Sequence, residues 1–216
     1  MDVILYEKIL EFQSIEPQLS DEYNQTKEHI YDLEFILTNT PSSDIIYQNE
    51  DESIFKNFHI KSVSMKSLGI KYIDNSPFGI KCCQNTLESI DFSGNKLTRF
   101  DSNQLVNLKY LERIDLSNNN LQVSDGNFKY NKNMRIINLS GNQIQYLQNR
   151  IFDHLNELES IDLSNNFLHS IDACAFNRIQ VSPIRRRLSP AKVSLFNNPL
   201  ECDCDIFYLS RHLNFI

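Results

Sequence analysis

A short apolar pattern, L-x-x-[LI]-x-[LF]-x-x-N-x-[LIF], occurs four times in this 216-residue chain and constrains its fold more than any other feature. The copies begin at Leu87, Leu111, Met134 and Leu158, so consecutive copies lie 24, 23 and 24 residues apart. A nearly fixed period of this length indicates stacked units, each too small to bury its own apolar face without a neighbour. The repeat therefore predicts a solenoid.

The middle of each copy predicts a short strand with one buried face. Alternate residues of a strand point to opposite sides, so pairs such as Ile114/Leu116 enter the core while the residues between them face outward. We predict an α/β repeat solenoid, a curved horseshoe with a parallel β-sheet on its concave face. The term concave face is used below for the outward side of that sheet.

An asparagine follows each predicted strand, at a turn that the repeat must bury. Its amide is tolerated there only if its donors and acceptor meet backbone groups of adjacent coils. The substitution Asn142→Ala should therefore leave buried backbone groups unpaired, at a cost of about 1–3 kcal/mol. The predicted ladder consists of Asn95, Asn119, Asn142, Asn166 and Asn198.

The repeats weaken toward both ends and predict four divisions of the chain. Residues 1–29 form either a short helix or a frayed leading coil, and residues 30–59 form a degenerate leading repeat. Repeats occupy residues 60–200, and they include a variant copy that begins at Ile60, upstream of the four close copies, in which Leu68 replaces the asparagine. Residues 201–216 form the start of a cysteine cap.

An insertion at residues 180–190 lengthens one repeat and is expected to form a surface loop. It contains Arg185, Arg186 and Arg187, followed by Ser189. The loop is either simply solvated, or a site for phosphate or an acidic partner, or a substrate for a basic-directed kinase.

Cysteines follow the last copy, where Asn198-Pro199-Leu200 leads to Cys202 and Cys204. The repeats together with this Asn-Pro-x-x-Cys-x-Cys segment resemble extracellular-type leucine-rich repeat proteins, such as Toll-like receptors, Slit-like secreted proteins and leucine-rich adhesion proteins. The resemblance implies that these cysteines bond to two further cysteines downstream. Because the sequence stops at Ile216, we expect a truncated cap and a fragment of a longer protein.

The cap and the N-terminus give opposite indications of the compartment. Disulfide caps belong to oxidising compartments, whereas the first eight residues show no secretory signal and no apolar run approaches membrane-spanning length. We expect an extracellular or cell-surface location, with the signal and any membrane attachment in segments missing from this chain. A cytoplasmic location is the alternative. Two triplets, at Asn24 and Asn138, fit the glycosylation sequon, which also arises by chance.

The sequence offers no catalytic or cofactor-binding motif. Its five histidines are scattered, and its five glycines form no phosphate-binding loop. Cys202 and Cys204 lack the second pair of ligands that a zinc site needs. The net charge of −7 does not suggest a nucleic-acid partner. We predict a protein that is not an enzyme and that needs no cofactor or metal.

Outward strand residues are expected to carry the function, as columns that run across successive coils. They form an acidic stripe broken by Arg113 and Arg135, which suits a protein partner with a basic surface. The alternative is a face that is polar only for solubility. The predicted partner-binding residues are Glu88, Asp91, Glu112, Arg113, Asp115, Arg135, Asn138, Glu159 and Asp162.

These features support three functional hypotheses. The first is a protein-binding ectodomain of a secreted or membrane-anchored recognition, adhesion or receptor protein. The second is an intracellular leucine-rich repeat scaffold or regulatory subunit that binds an enzyme. The third is an incomplete reading frame without an independent function.

Overall fold

A computed structural model describes residues 34–36, 45–46, 61–73, 86–100, 105–124, 128, 130–147, 151–152, 154–176, 191–201 and 214–215. Short strands dominate these ranges, and one 3₁₀ turn spans Ala173–Phe176. The strands are β1 (Glu34–Ile36), β2 (Ile45–Ile46), β3 (Ser62–Ser64), β4 (Tyr72–Ile73), β5 (Ser89–Asp91), β6 (Arg113–Asp115), β7 (Val123–Ser124), β8 (Ile136–Asn138), β9 (Tyr146–Leu147), β10 (Ser160–Asp162), β11 (Lys192–Ser194) and β12 (Asn214–Phe215).

Eight of the described strands form one parallel sheet, in the order β1-β3-β5-β6-β8-β10-β11-β12. Neighbouring coils are aligned residue for residue, so that Ile90 lies opposite Ile114 and Asp91 lies opposite Asp115. Two smaller parallel pairs, β2 with β4 and β7 with β9, join adjacent coils elsewhere in the repeat. The predicted parallel repeat solenoid is confirmed.

The core runs through the solenoid as stacked rows of apolar side chains, and two of these rows show how the coils pack. The strand row is fully or almost fully buried and consists of Val63, Ile90, Ile114, Ile137, Ile161 and Val193. The second row contains Phe128, Phe152 and Phe176, and the rings of the last two stack with centroids 5.3 Å apart. Each coil therefore completes the core of its neighbour, as expected for units that cannot bury their apolar face alone.

A left-handed residue occupies the position just before the ladder position in each described coil. These residues have φ between 54° and 69° and are Ser67, Gly94, Asn118, Gly141, Asn165 and Asn197. At Gly141 the neighbouring coil is also close, because an added Cβ would lie 2.5 Å from Asn118 Oδ1. Both backbone conformation and packing thus favour glycine there.

We expect Gly141→Ala to lower the free energy of unfolding by about 1–2 kcal/mol, because a left-handed conformation is strained for alanine and Asn118 must move. Gly141→Asn should lower the free energy of unfolding by less than Gly141→Ala. Asparagine adopts this conformation at positions 118, 165 and 197, and Asn197 Nδ2 donates to Asn165 Oδ1 at 2.9 Å. Urea denaturation of both variants measures the difference, and equal midpoints would contradict this explanation.

Several predicted parts of the chain lie wholly or mainly outside the described residues. These are residues 1–29, the inserted loop at 180–190, Asn24, Cys202 and Cys204. Within residues 30–59, β1 pairs with β3 and β2 pairs with β4. The division of the chain into a leading repeat, a repeat region and a cap stays a prediction. Among the described residues, no helix has the length and apolar character needed to cross a membrane.

Candidate protein-binding face

The ladder asparagines join each coil to the one before it. Asn142 is 4% exposed, and its Oδ1 accepts a hydrogen bond from Leu121 N at 3.1 Å. Its Nδ2 donates to Leu116 O at 3.0 Å and to Leu139 O at 2.9 Å. The amide therefore satisfies three backbone groups in two coils. The same arrangement is found at Asn95, Asn119, Asn166 and Asn198.

The coil that carries Leu68 is held by the coil that follows it. Asn95 Oδ1 accepts hydrogen bonds from Leu68 N at 3.0 Å and Ile70 N at 3.1 Å, and Asn95 Nδ2 donates to Met65 O at 2.8 Å. Each ladder asparagine thus bonds backward, to the preceding coil. The leucine at position 68 consequently leaves the interface with the Asn95 coil intact.

The first outward column of the concave face has a structural role in its own turns. Strand pairing aligns Ser64, Asp91, Asp115, Asn138, Asp162 and Ser194. The carboxylate or amide oxygens of the four middle members each accept a hydrogen bond from the backbone N–H two residues later, at 2.8–3.1 Å. These are Asx turns. The recurring D-x-S or N-x-S spacing is visible in the sequence, but the sequence prediction weighed only binding and solubility for these residues and did not foresee the turns.

Asp91 also forms an ion pair across the face. Its Oδ2 lies 2.9 Å from Lys66 Nζ, and its Oδ1 accepts from both Ser93 N and Ser93 Oγ. Partial burial opposes the charged form of the carboxyl group, but the hydrogen bonds from Lys66 and Ser93 outweigh burial and hold the pKa of Asp91 below its ordinary value. Asp91 is therefore charged and fixed in position at neutral pH.

Acid should remove the contribution of Asp91 to stability. Because its folded-state pKa is depressed, that contribution is fully present above the unfolded pKa of about 3.9 and is lost as the pH falls through the folded pKa. We expect Asp91→Asn to lower the melting temperature at neutral pH and to reduce its decline in acid. Circular dichroism melts from about pH 7 to about pH 2 measure this.

Glu88→Gln removes one carboxylate from the same face and controls for net charge. If the melting curves of wild type and Asp91→Asn stay parallel over the whole pH range, the proposed stabilisation by Lys66 and Ser93 is contradicted.

The second column consists of Glu88, Glu112, Arg135 and Glu159, which backbone hydrogen bonds align across the coils. Its arginine lies between two glutamates from adjacent coils. Arg135 Nε donates to Glu159 Oε1 at 2.8 Å, and Arg135 Nη1 donates to Glu112 Oε2 at 3.3 Å. The hydrogen bonds and charge of Glu159, with a smaller contribution from Glu112, raise the pKa of Arg135. Exposed ion pairs of this kind contribute little to stability. Their main effect here is to hold the guanidinium group in one place.

The third column brings Arg113, Ile136 and Lys192 onto the same face, at positions aligned with Ser62, Ser89 and Ser160. Arg113 and Lys192 are exposed, and Ile136 is half-buried. Sequence reasoning missed Lys192, although the frame of the last repeat places it opposite Ser160. The face therefore extends over at least six coils, from β3 to β11.

The charges of the described face are mixed. Its six carboxylates are Glu88, Asp91, Glu112, Asp115, Glu159 and Asp162, and its five basic side chains are Lys61, Lys66, Arg113, Arg135 and Lys192. The predicted acidic stripe is thus interrupted by more cations than the two arginines of the sequence prediction. Lys61 and Lys66 were missed because they flank β3 in the most divergent copy.

The sequon residue Asn138 lies in the middle of this face. Its Nδ2 donates to Asp115 Oδ2 at 3.1 Å, and its Oδ1 accepts from Ser140 N and Ser140 Oγ. A glycan would be attached to that Nδ2, directly beside Asp115, and would cover the surrounding strands. Glycosylation of Asn138 and binding at the centre of the face therefore exclude each other.

A buried asparagine outside the ladder escaped the sequence prediction. Asn131 is 0% exposed and takes the position that Leu108 and Leu155 hold in neighbouring coils. Its Nδ2 donates to Leu105 O at 3.0 Å and Leu108 O at 2.9 Å, while its Oδ1 has no hydrogen-bond partner. The polar residue in an otherwise apolar F-x-x-L spacing was the signal that could have revealed it. It is a second, smaller link between coils and lies away from the concave face.

The described face offers side chains suited to recognition. It presents carboxylates, basic groups, amides and hydroxyls in three aligned columns. Within the described ranges, no group of three or more His, Cys, Asp or Glu side chains is placed to hold a metal ion. Fixed charges and hydrogen-bonding groups of this kind are those that set specificity and association rate at protein interfaces.

Comparison with known protein families identifies the repeats. A family model described as leucine rich repeat matches residues 121–168, and one described as BspA type leucine rich repeat region (6 copies) matches residues 37–135. Together the two matches run from residue 37 to residue 168 and include strands β2 to β10. A search of curated proteins gave no match.

Proposed function

Starting from the premise that this chain is a leucine-rich repeat protein, we propose that it binds a protein partner on its concave face. Leucine-rich repeats imply a protein-binding repeat protein, and such families are typically non-enzymatic scaffolds. The observation that carries the proposal is the set of three aligned columns, in which Arg135 is fixed between Glu112 and Glu159. We propose that the protein acts by binding alone, without catalysis.

Preorganisation is the first support for this face. A long side chain that is ordered on binding loses conformational freedom, and this loss reduces affinity. Arg135 is already held by carboxylates from two neighbouring coils, and the turn-capping bonds hold Asp91 and Asp162. A partner therefore meets charges whose positions are largely set before contact.

Charge pattern defines the partner. Glu88 and Asp162 present negative charge toward opposite ends of the face, whereas Arg113 and Lys192 present positive charge between and beyond them. We propose a protein partner with basic residues placed opposite the two carboxylates and at least one acidic residue opposite Arg113. Such complementarity speeds association and excludes partners of the wrong charge pattern. A nucleic acid, which is uniformly negative, does not fit this pattern.

We propose an extracellular or cell-surface setting, in a recognition, adhesion or receptor protein. Support comes from Cys202 and Cys204 after the last repeat, since disulfide-forming cysteines belong to oxidising compartments. Titration of free thiols in the protein purified from its own cells tests the setting. Protected Cys202 and Cys204 are expected, and full reactivity of both favours the alternative, an intracellular scaffold or regulatory subunit that binds an enzyme.

A photo-cross-linking residue tests the binding face directly. Placed at Ile136, in the third column, it should cross-link a protein in cells that produce the chain. Placed at Tyr146, which is 52% exposed but lies on β9 outside the concave sheet, it should not. The Ile136 cross-link should also disappear when Arg113→Glu is introduced. Equal cross-linking from both positions, or from Ile136 with and without Arg113→Glu, would contradict the proposal.

A further inference from the structure

The most exposed aromatic residue among those described interrupts a polar column. Phe196 is 74% exposed and lies two residues after β11. The same position in the four preceding coils is serine, namely Ser93, Ser117, Ser140 and Ser164. A side chain that is mostly in solvent is not needed to fill the core, and the serines show that the turn forms without it.

A second phenylalanine breaks a neighbouring polar column in the adjacent coil. Phe167 is 53% exposed and directly follows the ladder residue Asn166. The corresponding residues in the preceding coils are Lys96, Asn120 and Gln143. The two coils are joined here, since Asn165 N donates to Phe196 O at 2.9 Å.

The coil that carries β11 has further apolar side chains after its strand. Pro199 is exposed, and Leu195 and Leu200 are half-buried, whereas the apolar residues at the positions of these two leucines in preceding coils are buried. Because Leu195 and Leu200 pack against the core, we call only the exposed residues Phe167, Phe196 and Pro199 the Phe rim. They lie in the turns that follow β10 and β11.

Protein interfaces combine an apolar centre with a polar surround, and aromatic residues dominate their binding energy. The concave face supplies the polar part, because its outward columns carry charged, amide or hydroxyl groups except at Ile136, and Ile136 is only partly exposed. The Phe rim adjoins that face, since Phe196 follows Ser194 of the first column. The Phe rim therefore offers the exposed apolar surface that the concave face lacks.

We infer that the Phe rim is the apolar anchor point for the protein partner of the concave face, and that it receives aliphatic or aromatic side chains of that partner. This inference rests on the proposed function. The partner lies along the columns with its charged residues and inserts its apolar residues beside Phe196 and Phe167. Two other occupants, a second copy of this chain and its own residues 202–216, are distinguished by the experiments that follow.

A tryptophan reporter tests whether the rim is open in the free protein. The chain contains no tryptophan, so Phe196→Trp gives a single tryptophan in the full-length protein, which can be excited selectively over the tyrosines. The indole side chain should be solvent-exposed, and its emission should be quenched by acrylamide at every protein concentration. Shielding that increases with protein concentration would assign the rim to a second copy, and shielding at all concentrations would assign it to the chain's own segment. Either result overturns the inference.

Peptides selected from a display library on the full-length chain provide the ligand probe. Peptides with apolar anchors are expected, and they should shield the tryptophan of the Phe196→Trp variant from acrylamide. Their affinity should fall at least about tenfold with Phe196→Ser or Phe167→Asn, the residues that other coils carry. The matched control is Tyr110→Asn, because Tyr110 is 52% exposed and Asn133 holds its position in the next coil; this variant should bind normally.

The same peptides separate the two proposals. Unchanged affinity in Phe196→Ser and Phe167→Asn overturns the rim as an anchor point. If Arg113→Glu still weakens those peptides, binding on the concave face survives without the rim; if Arg113→Glu has no effect either, both proposals fail for this ligand class. Melting temperatures of all variants should equal that of wild type, since each changed side chain is exposed.

Discussion

Replacing Asn142 by alanine is expected to lower the free energy of unfolding by at least about 3 kcal/mol, because three buried backbone groups are each left unpaired at a cost of about 1–3 kcal/mol. This is more than the sequence alone suggested. The structure shows that one amide serves Leu121 N, Leu116 O and Leu139 O together. Urea denaturation followed by circular dichroism measures the loss.

Asn198→Ala is the matched control for this prediction. Asn198 makes the corresponding bonds, to Leu168 N and Leu163 O, but it is only half-buried. Water can therefore replace part of the lost bonding, and we expect a cost of about 1 kcal/mol. Equal costs at positions 142 and 198 would show that burial does not determine the strength of the ladder.

Phe152→Ala is expected to cost about 3–5 kcal/mol, the range for removing a large buried aromatic side chain. Phe152 is 1% exposed and stacks on Phe176 of the next coil at 5.3 Å. The cavity therefore affects two coils and their interface. Because a solenoid is stabilised by contacts between neighbouring units, the unfolding transition should also become broader. Chemical denaturation monitored by circular dichroism measures both effects.

Phe167→Ala changes the same type of residue in a neighbouring coil and serves as the control. Its ring is 53% exposed, so the variant should remain within about 0.5 kcal/mol of wild type. If Phe152→Ala lowered the free energy of unfolding no more than Phe167→Ala, the stacked phenylalanines would not be part of the core that couples the coils.

The repeat frame determines most of the fold because it fixes both period and side-chain direction. The strand positions of Ile90, Ile114 and Ile137 follow from a nearly constant spacing, and their burial follows from alternation along the strand. The parallel register then needs no further information. It is the same spacing that aligns Asp91 with Asp115 on the outward side.

Side-chain partnerships could not be derived in the same way. Lys66 reaches Asp91 from the preceding coil, and Arg135 bridges Glu112 and Glu159, because long side chains extend across strands by amounts that spacing does not specify. The acidic stripe of the sequence prediction treats these charges as independent. The structure instead shows a mixed face in which several charges are already paired.

Residues that depart from the repeat pattern are the part of the chain that the sequence could not explain. The departure of Phe196 from serine is visible in the sequence, but the pattern alone does not show whether that position faces the core or solvent. Asn131 is the opposite case, a polar departure whose burial is complete. Departures from a repeat thus become interpretable only when burial is known.

Affinity for the protein partner identified by cross-linking from Ile136 decides whether the concave face is the binding surface. It should be compared by titration calorimetry for wild type, Arg113→Glu and Tyr146→Ser. We expect at least about a tenfold loss of affinity for Arg113→Glu and no change for Tyr146→Ser, because Tyr146 lies on β9, outside the eight-stranded concave sheet. Equal affinity of wild type and Arg113→Glu, with both proteins fully folded, would contradict binding on the concave face.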